Sequence, residues 1–145
     1  MRWRVAYDLT ADAASVQRMA KVTRSGGGIG SEPAVIGSDE WWSLVGTDRL
    51  PVHTQEGEVE RSFWSGHNDF AEFTLVTPDG TRRDWPRFGD HTLYAEGLRV
   101  RVQWVEQRWA EPNRFADVVG ERARVCVRVE VEDSERRSEG HPSHT

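Results

Sequence analysis

Two short polar segments of the chain carry the residue types best suited to chemistry. His67 and Asp69 lie in one of them, and Asp90 and His91 lie in the other. Two imidazoles and two carboxylates could bind a divalent metal, or divide the roles of acid and base around a substrate. The same residue types are also ordinary turn composition, because Asp bonds its own backbone there. Shared chemistry is therefore expected only if the fold brings the two segments together.

The elements that would position these segments form a predicted β-hairpin. Two predicted strands, 70–77 and 81–85, flank Pro-Asp-Gly at 78–80. Proline presets the first position of such a turn, and glycine supplies its left-handed residue. In the resulting register, Phe73 faces Trp85 across the two strands.

The same register predicts where the polar segments meet. If Thr77 pairs with Thr81, then His67 comes opposite His91 at one end of the sheet. Pro86 interrupts the hydrogen-bonded ladder and could displace this register before it reaches the histidines. The candidate ligand-binding residues at this end of the sheet are Trp64, His67, Asp69, Trp85, Asp90 and His91.

Seven tryptophans in 145 residues indicate large aromatic surfaces. Trp3, Trp85 and Trp104 share strand faces with apolar residues, which predicts that they are buried in the core. Trp64 and Trp109 occupy the polar positions of their strands. Either another element covers these two side chains, or they are exposed for contact with a ligand or partner.

Alternation of apolar and polar residues dominates the C-terminal part of the chain. It predicts two long neighbouring antiparallel strands at 98–109 and 122–132, with Val125, Val127, Val129 and Val131 on a buried face. Further predicted elements are a strand from Trp3 to Leu9, a helix over 13–22, a short helix that ends at Gly46, a loop over 47–57, a strand at 58–65 and a short strand at 92–95.

These elements predict a mainly β fold, with an α+β fold as a possibility. We expect an antiparallel sheet of six to eight strands, curled into a sandwich or a partly open barrel, with one N-terminal helix against it. A fully closed barrel is the alternative. Residues 1–133 are expected to form a single β-rich domain, and residues 134–145 a disordered polar tail that lacks apolar anchors.

Composition limits the classes of partner. The formal net charge of −5 argues against nucleic-acid binding, and no apolar run approaches the length that spans a membrane. Cys126 is the only cysteine, which is compatible with a reducing compartment and predicts a cytoplasmic protein. Lys21 is the only lysine among the basic residues, a bias that favours a bacterial genome rich in G and C.

The sequence predicts a non-enzymatic binding or interaction domain that uses an aromatic-lined face or cavity for a small ligand or a protein partner. It contains no nucleophile elbow or zinc-protease motif, and we expect no cofactor and no bound metal. One alternative is a small metal-dependent or acid/base enzyme centred on His67, Asp69, Asp90 and His91. Another is a self-associating structural protein, a homo-oligomer paired through its charged strands.

Overall fold

The structure, a computed structural model, describes residues 2–25, 28–66, 69–110 and 122–133. Within these ranges the strands are β1 (Trp3–Asp8), β2 (His53–Ser65), β3 (Phe70–Val76), β4 (Arg82–Pro86), β5 (Arg99–Arg108) and β6 (Arg122–Glu132). The helices are α1 (Ala13–Ser25) and α2 (Asp39–Leu44), and single 3-10 turns lie at Leu9–Ala11 and His91–Leu93. The predicted helices near the N-terminus and before Gly46 are both present.

The six strands form one antiparallel sheet in the order β1-β6-β5-β2-β3-β4. In the described part of the chain this sheet is open, and the closed barrel that was the alternative does not form. The long strands β5 and β6 are neighbours, as their matched alternation predicted. The mainly β class, the strand number and the N-terminal helix are thus confirmed.

The chain divides into two compact units. The first consists of Met1–Tyr7, Thr54–Val102 and Arg128–Thr145, and the second of Asp8–His53 and Gln103–Val127. A single domain over residues 1–133 stays a prediction. The predicted polar tail, 134–145, lies outside the described residues.

The core of the first unit lies on the face of the sheet that β3 and β4 share. Phe73 pairs with Trp85 in the predicted register, and Trp85 is only 4% exposed. The Phe73 ring also contacts the Tyr94 ring, with 4.9 Å between their centroids, so the packing extends beyond the sheet. The other buried apolar side chains of this unit are Val59, Leu75, Leu98, Val100, Val102, Val129 and Val131.

The second unit has a core of its own around Trp41. Ser38 caps α2 by accepting a hydrogen bond from the Trp41 backbone N–H, which fixes the start of this short helix. Trp41 and Trp104 are both buried, so the prediction of a core position for Trp104 is confirmed. The remaining apolar core residues here are Leu9, Ala20, Ala34, Ile36, Leu50, Val105, Ala123, Val125 and Cys126.

Two predicted core positions, Trp3 and Val127, are wrong. Trp3 is half-buried in β1, a strand at the edge of the sheet. The guanidinium of Arg101 lies 4.5 Å from the Trp3 ring and provides part of its cover. Val127 is half-buried as well, whereas its neighbour Cys126 is buried, which shows that strict alternation does not describe the middle of β6.

Two other sequence expectations also fail. The predicted loop over 47–57 ends early, since β2 already begins at His53. The predicted short strand at 92–95 is instead the 3-10 turn His91–Leu93. Asp90 caps this turn by accepting a hydrogen bond from the Thr92 backbone N–H at 2.9 Å, which favours a turn over an extended segment.

Candidate functional site

A cleft of about 500 Å³ lies in the first unit, where β2 and β4 end and β3 begins. Its size falls within the range of small-molecule sites, and it could equally receive a side chain of a protein partner. The residues that line it are Trp64, Ser65, Asp69, Phe70, Ala71, Glu72, Pro86, Arg87, Phe88 and His91.

Strand pairing explains why these residues meet. At the end of the β2–β3 pair, Trp64 lies opposite Ala71, and Ser65 lies opposite Phe70. The backbone N–H of Arg87 donates to the carbonyl of Ala71 at 2.9 Å, so the hydrogen bonding continues one residue beyond β4. The segment after β4 is thereby held beside the start of β3, even though Pro86 cannot donate to the ladder.

The cleft exposes two large aromatic side chains. Trp64 is 51% exposed and Phe70 is 62% exposed. The other large apolar side chains exposed on the described part of the chain are valines. An exposed aromatic pair beside a cleft is unusual for a surface without a partner and indicates a binding surface.

Arg87 and His91 pack against Trp64. The Arg87 guanidinium carbon lies 5.1 Å from the Trp64 ring centroid, and Arg87 Nη2 donates to the Phe63 carbonyl at 3.1 Å. The His91 ring meets Trp64 edge to face, with 5.8 Å between the centroids. These contacts restrict the rotamers of Trp64 before any partner arrives, which reduces the entropy lost on binding.

Two carboxylates at or near the cleft, Glu72 and Asp90, accept local hydrogen bonds. The Ser65 hydroxyl donates to Glu72 Oε2. Asp90 accepts from the Thr92 hydroxyl at 2.6 Å and from the Thr92 backbone N–H, and these bonds hold the pKa of Asp90 below its ordinary value. Both carboxylates therefore stabilise the surrounding turns.

The segment after β4 is fixed on its other side as well. The Tyr94 hydroxyl donates to the Phe88 carbonyl at 2.6 Å, and the Phe88 ring lies 5.2 Å from the ring of Tyr7. Gly89 follows with φ of +73°, and a Cβ there would lie only 2.1 Å from the Ala6 carbonyl oxygen. Glycine is needed at this position because the backbone is left-handed and another chain segment approaches it closely.

The structure brings part of the predicted site together. Trp64, Asp69 and His91 line the cleft, where β2 and β4 end and β3 begins; the pairing of His67 with His91 stays a prediction. Trp85 and Asp90 do not line it, since Trp85 is buried beside Phe73 and Asp90 caps the following turn. His67 lies outside the described residues.

Sequence reasoning missed Phe70, Arg87 and Phe88 as site residues. A signal for two of them was present, because the register that pairs Phe73 with Trp85 also places Phe70 opposite Phe88. Phe70 was assigned to an ordinary strand position, although it is the first residue of β3 and lies at the open end of the sheet. Nothing in the sequence indicated the contact of Arg87 with Trp64.

Among the residues that the structure describes, no group of three or more His, Cys, Asp or Glu side chains could hold a metal ion. In the same ranges no helix has the length and apolar character needed to cross a membrane.

The described strands thus form an open antiparallel sheet with an exposed aromatic cleft at one end. A comparison with protein families matches residues 3–131 to the family described as Immunity protein RhsI2. Because the match covers most of the chain, the chain belongs to this family. Membership gives it a binding role toward a partner toxin protein. No curated protein matches the chain.

Proposed function

We propose that this protein neutralises an Rhs toxin by binding it, without chemistry of its own, through the aromatic cleft at the ends of β2, β3 and β4. We choose this surface because of one observation: Trp64 and Phe70 are both exposed beside the same cleft. Family membership supplies the kind of partner, and the exposed aromatic pair supports the location.

The composition of the cleft supports a protein partner. Interface residues that contribute most to binding are enriched in Trp, Tyr and Arg, and they cluster in pockets from which water is excluded. Trp64 and Arg87 are such residues, and they are already in contact. A stable complex buries about 800 Å² on each partner, so the cleft would form the centre of a wider interface.

We also propose that the protein acts in the cytoplasm. Its one cysteine, Cys126, is buried, and a chain with a single cysteine cannot form a disulfide within itself, which suits a reducing compartment.

Alanine substitution in the cleft tests the proposed function. Trp64→Ala and Phe70→Ala should each weaken binding to purified Rhs toxin by about 30-fold or more, the loss expected for residues at the centre of an interface. Isothermal titration calorimetry measures the dissociation constant, and circular dichroism checks that each variant is folded. Both losses should be insensitive to a chelator, because the proposal includes no metal.

Val5→Ala is the matched control, because Val5 is a large apolar side chain of the same unit that is 46% exposed and does not line the cleft. It should leave the affinity unchanged. Equal affinities for the wild type, Trp64→Ala and Phe70→Ala would refute the cleft as the toxin-binding surface. Light scattering on the same samples distinguishes a toxin complex from self-association of this chain.

A further inference from the structure

A second cleft, lying within the second unit, is rich in arginine. Its volume is about 370 Å³, and arginines from three different parts of the chain line it. Arg49 lies in the turn after α2, Arg108 ends β5 and Arg122 begins β6. We call this the arginine cleft; its full lining is Glu32, Pro33, Arg49, Glu106, Gln107, Arg108 and Arg122.

Within the described part of the chain, the three arginines have N–H donors that are not used. Each is exposed, and none of the three guanidinium groups has an ion pair or hydrogen bond with another described residue. Arginines of the first unit behave differently: Arg99 and Arg101 both pair with Glu56, at 3.2 and 3.0 Å. An arginine carries five N–H donors in a planar fork that fits a carboxylate, so the arginine cleft offers sites for anionic oxygen atoms.

The floor of the arginine cleft is rigid. Gln107 is 1% exposed, and its Nε2 donates to the carbonyls of Gly30 and Ala34 at 2.6 and 3.0 Å. Gly30 also donates its backbone N–H to the Arg108 carbonyl at 2.7 Å. The segment that carries Glu32 and Pro33 is thereby fixed beside the end of β5.

The charge distribution favours carboxylates over polyphosphates as ligands. Glu32 and Glu106 line the same cleft, and Glu106 Oε1 lies 3.4 Å from His53 Nε2. These carboxylates and the overall net charge of −5 would repel the continuous negative charge of a nucleic acid. A few carboxylate side chains of a protein, spaced to meet individual guanidinium groups, would avoid most of this repulsion.

We infer that the arginine cleft is a second contact surface, which binds an acidic segment of a protein partner through Arg49, Arg108 and Arg122. This inference rests on the proposed function for the identity of the partner as a protein. The recognition itself depends only on the three guanidinium groups and the carboxylates they meet.

A hexaglutamate peptide tests the inference without the toxin. Titration of the whole protein, followed by NMR, should shift resonances of residues 32–33, 49, 106–108 and 122. The triple variant Arg49→Gln/Arg108→Gln/Arg122→Gln should bind the peptide at least about tenfold more weakly. The control Arg2→Gln/Arg18→Gln/Arg24→Gln removes the same charge from exposed arginines elsewhere, and it should bind like the wild type.

Three outcomes would overturn the inference. First, the peptide could cause no shift at these residues. Second, both triple variants could lose binding equally, which would show that the peptide responds to net charge and not to the arginine cleft. Third, a six-nucleotide oligothymidine or inorganic phosphate, at equal ionic strength, could bind the arginine cleft as tightly as hexaglutamate, which would make it a general anion site. These experiments contain no toxin, so their failure would not bear on the aromatic cleft. The proposal that the aromatic cleft binds the toxin would fail separately, if Trp64→Ala bound the toxin as tightly as the wild type.

Discussion

Gln107 organises the interior of the second unit through both ends of its amide. Its Oε1 accepts from Trp41 Nε1 at 2.9 Å, while its Nε2 donates to the carbonyls of Gly30 and Ala34. Without Gln107, the Trp41 indole N–H and the carbonyls of Gly30 and Ala34 would each lose a hydrogen-bond partner in the protein interior. Gln107 therefore joins the α2 core to the segment before it.

Replacing Gln107 with leucine should lower the free energy of unfolding by about 3 kcal/mol or more, because three buried polar groups lose their partner at once. Urea denaturation measures this loss. Gln103→Leu, in the same strand but half-buried, is the control and should cost less than about 1 kcal/mol. Equal losses in the two variants would show that the hydrogen bonds of Gln107 add no more to the free energy of unfolding than the contacts of Gln103.

Asp79 stabilises the turn between β3 and β4. Its carboxylate accepts hydrogen bonds from the Thr77 hydroxyl and from the Thr81 backbone N–H, the latter at 3.0 Å. These bonds, led by the one from Thr77, lower the pKa of Asp79 from 3.8 to about 2. Since the folded state has the lower pKa, this stabilisation is present above pH 3.8 and is lost as the pH falls to about 2.

Asp79→Asn should thus be less stable than the wild type at neutral pH, and the difference should shrink as the pH falls from 3.8 to about 2. Urea midpoints measured across this range test the prediction. Thr77→Val removes the largest cause of the pKa shift, so the Asp79 carboxyl should titrate at higher pH in that variant, as followed by NMR. A stability difference that stays constant down to pH 2 would contradict the account.

The alternation of apolar and polar residues predicted the burial of some tryptophans correctly and of others wrongly, and the surroundings of each residue explain why. Trp104 lies on β5, an inner strand, and Trp85 lies on the edge strand β4 beside Phe73; both are buried as predicted. Trp3 has the same pattern on an edge strand, where only part of the ring is covered. Alternation reports which side chains share a face, whereas burial depends on what packs against that face.

At the scale of elements, the β3–β4 hairpin was predictable because its turn residues determine its register. The start of β2 was missed because of Gly57, since glycine inside a strand usually signals a loop. A Cβ at Gly57 would lie 2.1 Å from the Val76 carbonyl oxygen, so this glycine permits close approach of β3. Because Gly57 and Val76 are far apart in sequence, this close approach leaves no local signal.

The segment that carries Arg87 and His91 depends on Gly89. Gly89→Ala should destabilise the protein and weaken toxin binding, because its Cβ would meet the Ala6 carbonyl oxygen at 2.1 Å in a left-handed backbone. Gly97→Ala is the control: its φ of +87° is also left-handed, but a Cβ there has no neighbour within 4 Å. Gly97→Ala should cost only about 1 kcal/mol from backbone strain.

Thermal denaturation and toxin titration of both alanine variants measure these effects. Equal melting temperatures for the two variants would mean that the contact with Ala6 does not fix the segment after β4.

For the whole molecule, the sequence predicted the mainly β class, which the structure confirms, and a binding role, with which the family match agrees. The hairpin register also brought Asp69 and His91 to one end of the sheet. Nothing in the sequence indicated a toxin as partner, because recognition of a protein depends on a surface assembled from several strands. The surface that we propose includes Trp64, Phe70 and Arg87, which meet only after β2, β3 and the segment after β4 have come together.

Amide hydrogen exchange with and without purified Rhs toxin tests the central claim most directly, because it reports the contact surface without any substitution. The account predicts slower exchange on toxin binding in peptides that cover residues 63–66, 69–72 and 86–91. Unchanged exchange in these three segments, together with protection elsewhere in the chain, would contradict the claim that the aromatic cleft binds the toxin.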